Sequence, residues 1–432
     1  MSAPAPTPPV RRPRLALGGL AVAHTMAQAG NTITVFATPF YVRSIGGSNT
    51  EVGLAVTAAT LPIVLGGPLA GVLVDRIGYR LSSIAADIIS GLTVLAIAVL
   101  GSTGSLPLWG LLAVLFVSGL FDTPGQTART VLLPSLARGA DVPLERAVGL
   151  VTGAERTAML AAAPLGGVLV MLLGPAQAFF VDAAFFAVSA LLVTALVPRA
   201  TPTHEDDDEQ STEKDGAGYW RQLADGARFV LATPLLRNIA LVVLVLNAFD
   251  TARLNVLLPL YALEELNGPN GELGNATAAG LISGALAAGA LAGAALFSAW
   301  GHRLPRRALF VGAFALTGGP LSVAFALGAQ TFPLVAVAVG TGLAAGMLNP
   351  LIGTLRLELA PPRMLARVQT LMISIAWAGI PVGSFLSGVA ADVFDLRLVF
   401  AVIGVAYVLV ALAPLTGGSW RQLSARRAPP SR

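Results

Sequence analysis

Long apolar runs separated by short polar or charged breaks make up most of this chain. Val52–Val74 carries no charge, and Leu81–Gly101 carries only Asp87. Each run is long enough to cross a hydrocarbon core of ~30 Å, which takes ~20 apolar residues in a helix. Between them, residues 71–80 hold Asp75, Arg76, Arg80 and the glycines Gly71 and Gly78, which predicts a charged loop joining two membrane helices. The same reading of apolar length and of Gly, Pro and charge punctuation gives twelve spans. Six run over Leu15–Val42, Thr50–Val74, Leu81–Gly101, Leu106–Thr130, Arg146–Leu173 and Ala176–Val197. Six more run over Leu235–Leu266, Ala276–Trp300, Arg307–Leu327, Phe332–Leu357, Ala366–Ala391 and Leu396–Leu415.

The expected fold class is an all-α polytopic membrane protein, with twelve transmembrane helices in two six-helix bundles. Its parts are a tail at 1–14, a first bundle at 15–197, a linker at 198–234, a second bundle at 235–416 and a tail at 417–432. In the linker, Glu205, Asp206, Asp207, Asp208 and Glu209 form an acidic run that reads as a solvated tether. Tyr219–Arg237 reads as an amphipathic helix on the inner membrane surface, with Trp220, Leu223, Ala227 and Val230 on one face.

Composition narrows the possible chemistry. A 55% hydrophobic fraction, 12% charge and a mean hydropathy of +0.75 exceed what a soluble core hides in 432 residues. Absence of cysteine excludes disulfides, thiolate metal sites and Cys nucleophiles. The histidines His24, His204 and His302 are scattered and have no metal-ligand spacing, so neither a metal nor a cofactor is expected. Residues 1–14 read as a cytoplasmic tail and not a removable signal. No phosphate-binding loop supports ATP-driven transport.

Nearly all of the 27 Lys and Arg fall on segments assigned to one side when the N-terminus is inside. Arg43 and Arg397 fall outside, and Arg156 and Arg253 fall within spans. This bias predicts both termini in the cytoplasm of a multi-pass protein in the cell inner (plasma) membrane. It also explains the net charge of +4 without nucleic acid.

The halves repeat one another. Ala163-Pro164-Leu165-Gly166-Gly167 of span five has a counterpart in Ile380-Pro381-Val382-Gly383-Ser384 of span eleven. Thr123, Pro124 and Arg129 of span four correspond to Asn349, Pro350 and Arg356 of span ten. Parallel repeats of this kind are found in transporters that hold substrate between the two halves. The charged loop is poorly repeated, because Ala299–Arg307 has arginines but no acid.

Coupling chemistry must come from charges that lipid rejects, since an ionisable group at the bilayer centre costs ~2.5 kcal/mol or more. Asp122, Glu155, Arg156, Asp250 and Arg253 qualify by depth. Glu155 and Asp250 are candidates for proton coupling or for contact with a cationic substrate. The alternative is a buried salt bridge, to Arg156 or another helix for Glu155, and to Arg253 at i,i+3 spacing for Asp250. Asp122 is a third coupling candidate, equally open to a gate-side ionic network with Arg129 seven residues on, which Asp87 can join in a structural role. His24, Gln28, Asn31 and Thr34 form one polar stripe on span one, and Asn247 and Asn255 do the same on span seven. These, with Phe249, are the candidates for lining a substrate cavity. The glycines of spans eight and ten read as close helix contacts and not as a binding loop.

The motif Gly71-x-x-x-Asp75-Arg76-x-Gly78-x-Arg80 resembles the loop signature between the second and third helices of the major facilitator superfamily of secondary transporters. Tyr79 stands where that family usually has a second basic residue. The resemblance implies the major facilitator fold. It also implies that Gly71, Asp75, Arg76, Gly78 and Arg80 form a conformational latch, with Asp75 accepting from the amides that open span eleven near Ala366. Pro164, Gly166 and Gly167 resemble part of the fifth-helix signature of drug-exporting antiporters, with Ala163 in place of its usual glycine. Asp182 within Val181-Asp182-Ala183-Ala184-Phe185-Phe186, the step Ala85-Ala86-Asp87 and the start Ala366-Arg367-Val368 look like the branch that includes enterobactin and macrolide exporters.

The function this implies is proton-coupled efflux of a small amphiphilic or cationic compound, a drug or secondary metabolite, by alternating access. Its partners would be the small-molecule substrate, a proton or sodium ion, and the bilayer, and the protein would act as a monomer. An importer or facilitator of a nutrient fits the same fold. A membrane enzyme lacks the converging groups it would need, and a receptor would carry a larger soluble domain.

Overall fold

The computed structural model describes residues 13–198, 226–266, 272–359, 365–416 and 420, without the side chains of 65–76, 272–273, 302, 357, 365–367 and 370. The acidic run, His204, residues 219–225 of the expected amphipathic helix and most of both tails lie outside these residues. So do the side chains of Gly71, Asp75, Arg76, His302, Ala366 and Arg367.

Twelve long helices follow one another: α1 (Pro13–Ser44), α2 (Asn49–Ile77), α3 (Tyr79–Ser102), α4 (Leu108–Gly139), α5 (Leu144–Leu173), α6 (Pro175–Leu196), α7 (Pro234–Glu265), α8 (Glu272–Trp300), α9 (Arg306–Ala326), α10 (Thr331–Leu359), α11 (Leu365–Val393) and α12 (Leu396–Leu412). A further helical stretch covers 226–232. Ten of the twelve are apolar and long enough to cross a membrane over their described residues. The others are α2, whose side chains at 65–76 are not described, and α1, whose middle is diluted by His24, Gln28 and Asn31.

Three departures from the expected spans have physical causes. The predicted loop at 71–80 is mostly helix, because α2 continues to Ile77 and α3 starts at Tyr79. Gly78 alone makes the turn, with φ +81°, a conformation open to glycine. Helix α4 runs past Thr130 to Gly139, since Leu132, Leu133, Leu136 and Ala137 pack with Leu17, Leu20 and Val193. Hydropathy reports where lipid is, whereas this packing extends the helix beyond it. Third, α7 contains a π-helical turn at Ala252–Leu257.

Contacts divide the chain into two compact units that cut across its halves. The first comprises 1–34, 65–162 and 176–202, and the second 35–64, 163–175 and 203–432. Glycines explain why parts of α2 and α5 belong to the second unit. Gly53 of α2 meets Ser384 O and Gly388 of α11, and Gly167 of α5 meets Ala276 O and Thr277 of α8. Gly280 and Gly284 of α8 meet Ala163 and Pro164 in return. In the same unit Gly289 and Gly293 of α8 approach the backbone of α10, while Gly342 and Gly346 of α10 approach that of α8. A Cβ at any of these positions would strike backbone or proline ring, so glycine permits the helix contact.

Candidate functional site

In the first unit, helical spacing puts His24, Gln28 and Asn31 of α1 on one face. His24 Nε2 lies 3.3 Å from Glu155 Oε2, and Gln28 Nε2 donates to Glu155 Oε1 at 3.5 Å. The stripe on α1 thus holds both oxygens of the α5 carboxylate, whose side chain keeps 19% exposure. Glu155 is bridged to another helix and does not pair with the adjacent Arg156, which is exposed.

A second group lies between α3, α4 and α6. Arg129 Nη1 donates to Asp87 Oδ1 at 2.9 Å and Oδ2 at 3.1 Å, and to Ser189 Oγ at 3.0 Å. Ser189 Oγ donates to Asp87 Oδ2 at 2.6 Å. All three residues are buried, and the charges offset each other. Arg129 thus bonds directly to Asp87, while Asp122 lies within its field. Asp122 instead accepts from Gln126 Nε2 at 2.5 Å, one turn along α4, with Asn31 of α1 beside it. Asp182 of α6 is fully buried and accepts a 2.5 Å bond from Thr34 Oγ of α1.

In the second unit, Arg253 sits on the π-turn and is completely buried. Its Nη2 donates to Asp250 Oδ1 at 2.7 Å, and its Nη1 donates to the carbonyls of Thr317 and Gly318 on α9 at 2.9 and 3.1 Å. Tyr407 Oη of α12 donates to Asp250 Oδ2 at 3.0 Å, and its ring lies 5.7 Å from the guanidinium carbon. The π-turn adds a residue to the helix and so re-aims the side chains on it. Asn247 Nδ2 donates to Ala376 O of α11 at 2.9 Å, an interhelical bond. Phe249 packs near Tyr407, and Asn255 lies half-buried on the π-turn.

Arg80 donates through Nε to Val197 O at 2.8 Å and through Nη2 to Thr194 O at 2.6 Å, binding carbonyls at the end of α6. Pro164 and Gly167 form the α5–α8 contact, and Gly166 meets Phe36. Where α2 begins, Asp392 of α11 accepts from the amides of Asn49 and Thr50 at 2.9 and 2.8 Å.

The sequence model of the Major Facilitator Superfamily matches residues 20–273 and 240–429. This chain belongs to the Major Facilitator Superfamily. Among its relatives is the multidrug efflux pump Tap of Mycolicibacterium fortuitum, 29% identical over 389 residues, covering 89% of this chain and 91% of the relative. Tap of Mycobacterium tuberculosis is 27% identical over 403 residues, 92% of each chain. Macrolide efflux protein A of Streptococcus pyogenes is 24% identical over 382 residues, 86% of this chain and 88% of the relative. Among solved structures, the nucleoside transporter NupG aligns with a TM-score of 0.73 at 12% identity, over 96% of this chain and 100% of that one. A peptide transporter POT in complex with sulfate aligns at 0.68 and 15% identity, over 95% and 96%. These likenesses show the facilitator fold, and family membership makes the chain a transporter and not an enzyme.

Sequence reasoning missed several members of these clusters. Ser189, Tyr407 and Asp392 gave no local signal. Asp182 gave one, as the sole charge in the 22-residue helix Pro175–Leu196, with Ser189 seven residues on along the same face.

Proposed function

We propose that this facilitator is a proton-driven antiporter that exports a small amphiphilic or cationic compound from the cytoplasm by alternating access. It would sit in the cell inner membrane with both termini cytoplasmic. The observation that carries the reading is the match to multidrug efflux pumps along about nine-tenths of both chains. Geometry adds a candidate machinery. Glu155 is a membrane-embedded carboxylate held by neutral or titratable donors, His24 and Gln28, and remains partly accessible. Such a group can exchange a proton, or meet a cation, without first breaking a bond to arginine. Asp250 is tied to Arg253 and Tyr407, an arrangement that supports a structural role.

Everted membrane vesicles from an efflux-deficient bacterium expressing the protein test this reading with ethidium as the probe. The expected result is uptake into the vesicles that builds with the proton gradient and collapses with nigericin. Uptake that follows an imposed sodium gradient instead would replace the coupling ion. Ethidium movement unaffected by expression, together with better growth on a supplied nutrient, would favour import.

A further inference from the structure

Asp182 stands apart from the other carboxylates within the helices of its unit. Asp87 faces Arg129 and Ser189, Glu155 faces His24 and Gln28, and Asp122 lies within the field of Arg129. Asp182 is wholly inaccessible, and among the described residues it accepts a hydrogen bond from the Thr34 hydroxyl. Its other oxygen, Oδ1, has no hydrogen-bond partner among the described residues. The charged group that acts on it is Asp122 of α4, which has the same sign. Arg129 and Asp87 lie two turns along α6, at Ser189, and neutralise each other. On α1, Gly30 lies against Oδ1, so a side chain there would displace the carboxyl group.

An isolated carboxylate inside a bilayer, with no cation and an unsatisfied oxygen, is costly to keep charged, and proteins retain such groups for function. We propose that Asp182 carries the coupling proton, and that Thr34 is the positioning residue that ties its loading to the α1–α6 contact. Oδ1 takes up a proton from water on one side and returns it to water on the other, with no other bond made or broken. Loading suits the packed arrangement seen here, where Gly30 and Thr34 enclose the carboxyl group. Movement of α1 away from α6 would admit water to Oδ1 and allow release. This rests on the antiporter reading above and adds to it the residue that carries the proton.

Proteoliposomes containing the full chain, with ethidium as probe, separate two processes. Accumulation driven by a pH gradient requires net proton movement, whereas ethidium self-exchange at equal pH does not. Asp182→Asn preserves shape and the acceptor for Thr34 but cannot release a proton. It is expected to lose gradient-driven accumulation by about tenfold or more, while self-exchange falls by no more than about twofold. Thr34→Val leaves the acid in place and is expected to displace the pH midpoint of accumulation by about half a unit or more. This second variant keeps the idea testable if Asp182→Asn fails to fold. Asp182→Asn that accumulates ethidium like the wild type, or a Thr34→Val pH profile superposed on the wild-type one, overturns the role of Asp182 alone. A wild type that exchanges ethidium but ignores the gradient overturns the antiporter reading and this inference together.

Discussion

The first unit distributes four carboxylates, Asp87, Asp122, Glu155 and Asp182, over α3, α4, α5 and α6, and only one of them is closed into a tight pair with arginine. The second unit ties a half-buried Asp250 to the buried Arg253 as one closed pair, joined by Tyr407 and by carbonyls of α9. The same fold thus carries unequal chemistry in its repeats. Arg129 of α4 and Arg356 of α10 occupy corresponding motifs, but Arg356 has no ion-pair partner among the described residues because α9 offers no acid. A repeat preserves helix packing through proline and glycine, and charges can then diverge.

The largest expected effect tests whether both closed pairs are structural. Asp87→Leu leaves Arg129 buried without its carboxylate and should lower stability by ~3–5 kcal/mol, read as a loss of melting temperature in detergent. Asp250→Leu should cost less, ~1.5–3 kcal/mol, since Arg253 keeps the Thr317 and Gly318 carbonyls. Equal losses would erase this distinction between the units.

Gly167→Val sharpens the packing side of the comparison, because its side chain would strike Ala276 O. A cost of ~1–3 kcal/mol is expected, with slower transport in vesicles. Wild-type stability and rate would show that the α5–α8 contact is not needed. Asp392→Ala removes the anion from the first amides of α2 and should cost ~0.5–2 kcal/mol. Since the chain has no cysteine, a Thr50→Cys, Asp392→Cys pair can report the same contact by crosslinking in an otherwise native background. Failure to crosslink would place α2 and α11 farther apart in solution. The smallest effect is expected for Arg306→Ala, whose partner Glu358 is exposed, at below ~1 kcal/mol by thermal melting.

Much of the fold was legible in local sequence. Apolar length marks the spans, and the four-residue steps of His24, Gln28 and Asn31 announced a polar face on α1. The Asp250–Arg253 pair follows from i,i+3 spacing on one helix. Partners across helices were not legible, because the choice of Asp87 for Arg129, or of His24 for Glu155, depends on which helices become neighbours. Likewise the π-turn at Ala252–Leu257 has no marker such as proline within it, and the one-residue turn at Gly78 looks the same in sequence as a longer loop. Asp182 was visible as a lone charge, but only the structure reveals that it is buried with no ion-pair partner among the described residues.

Gradient-driven ethidium transport by Glu155→Gln and Asp250→Asn, measured side by side in proteoliposomes, decides whether coupling belongs to the first unit. Glu155→Gln is expected to lower accumulation by about tenfold or more, and Asp250→Asn by less than about threefold once protein amounts are matched. Full accumulation by Glu155→Gln, with loss in Asp250→Asn, would move the proton chemistry to the second unit and contradict the division described above.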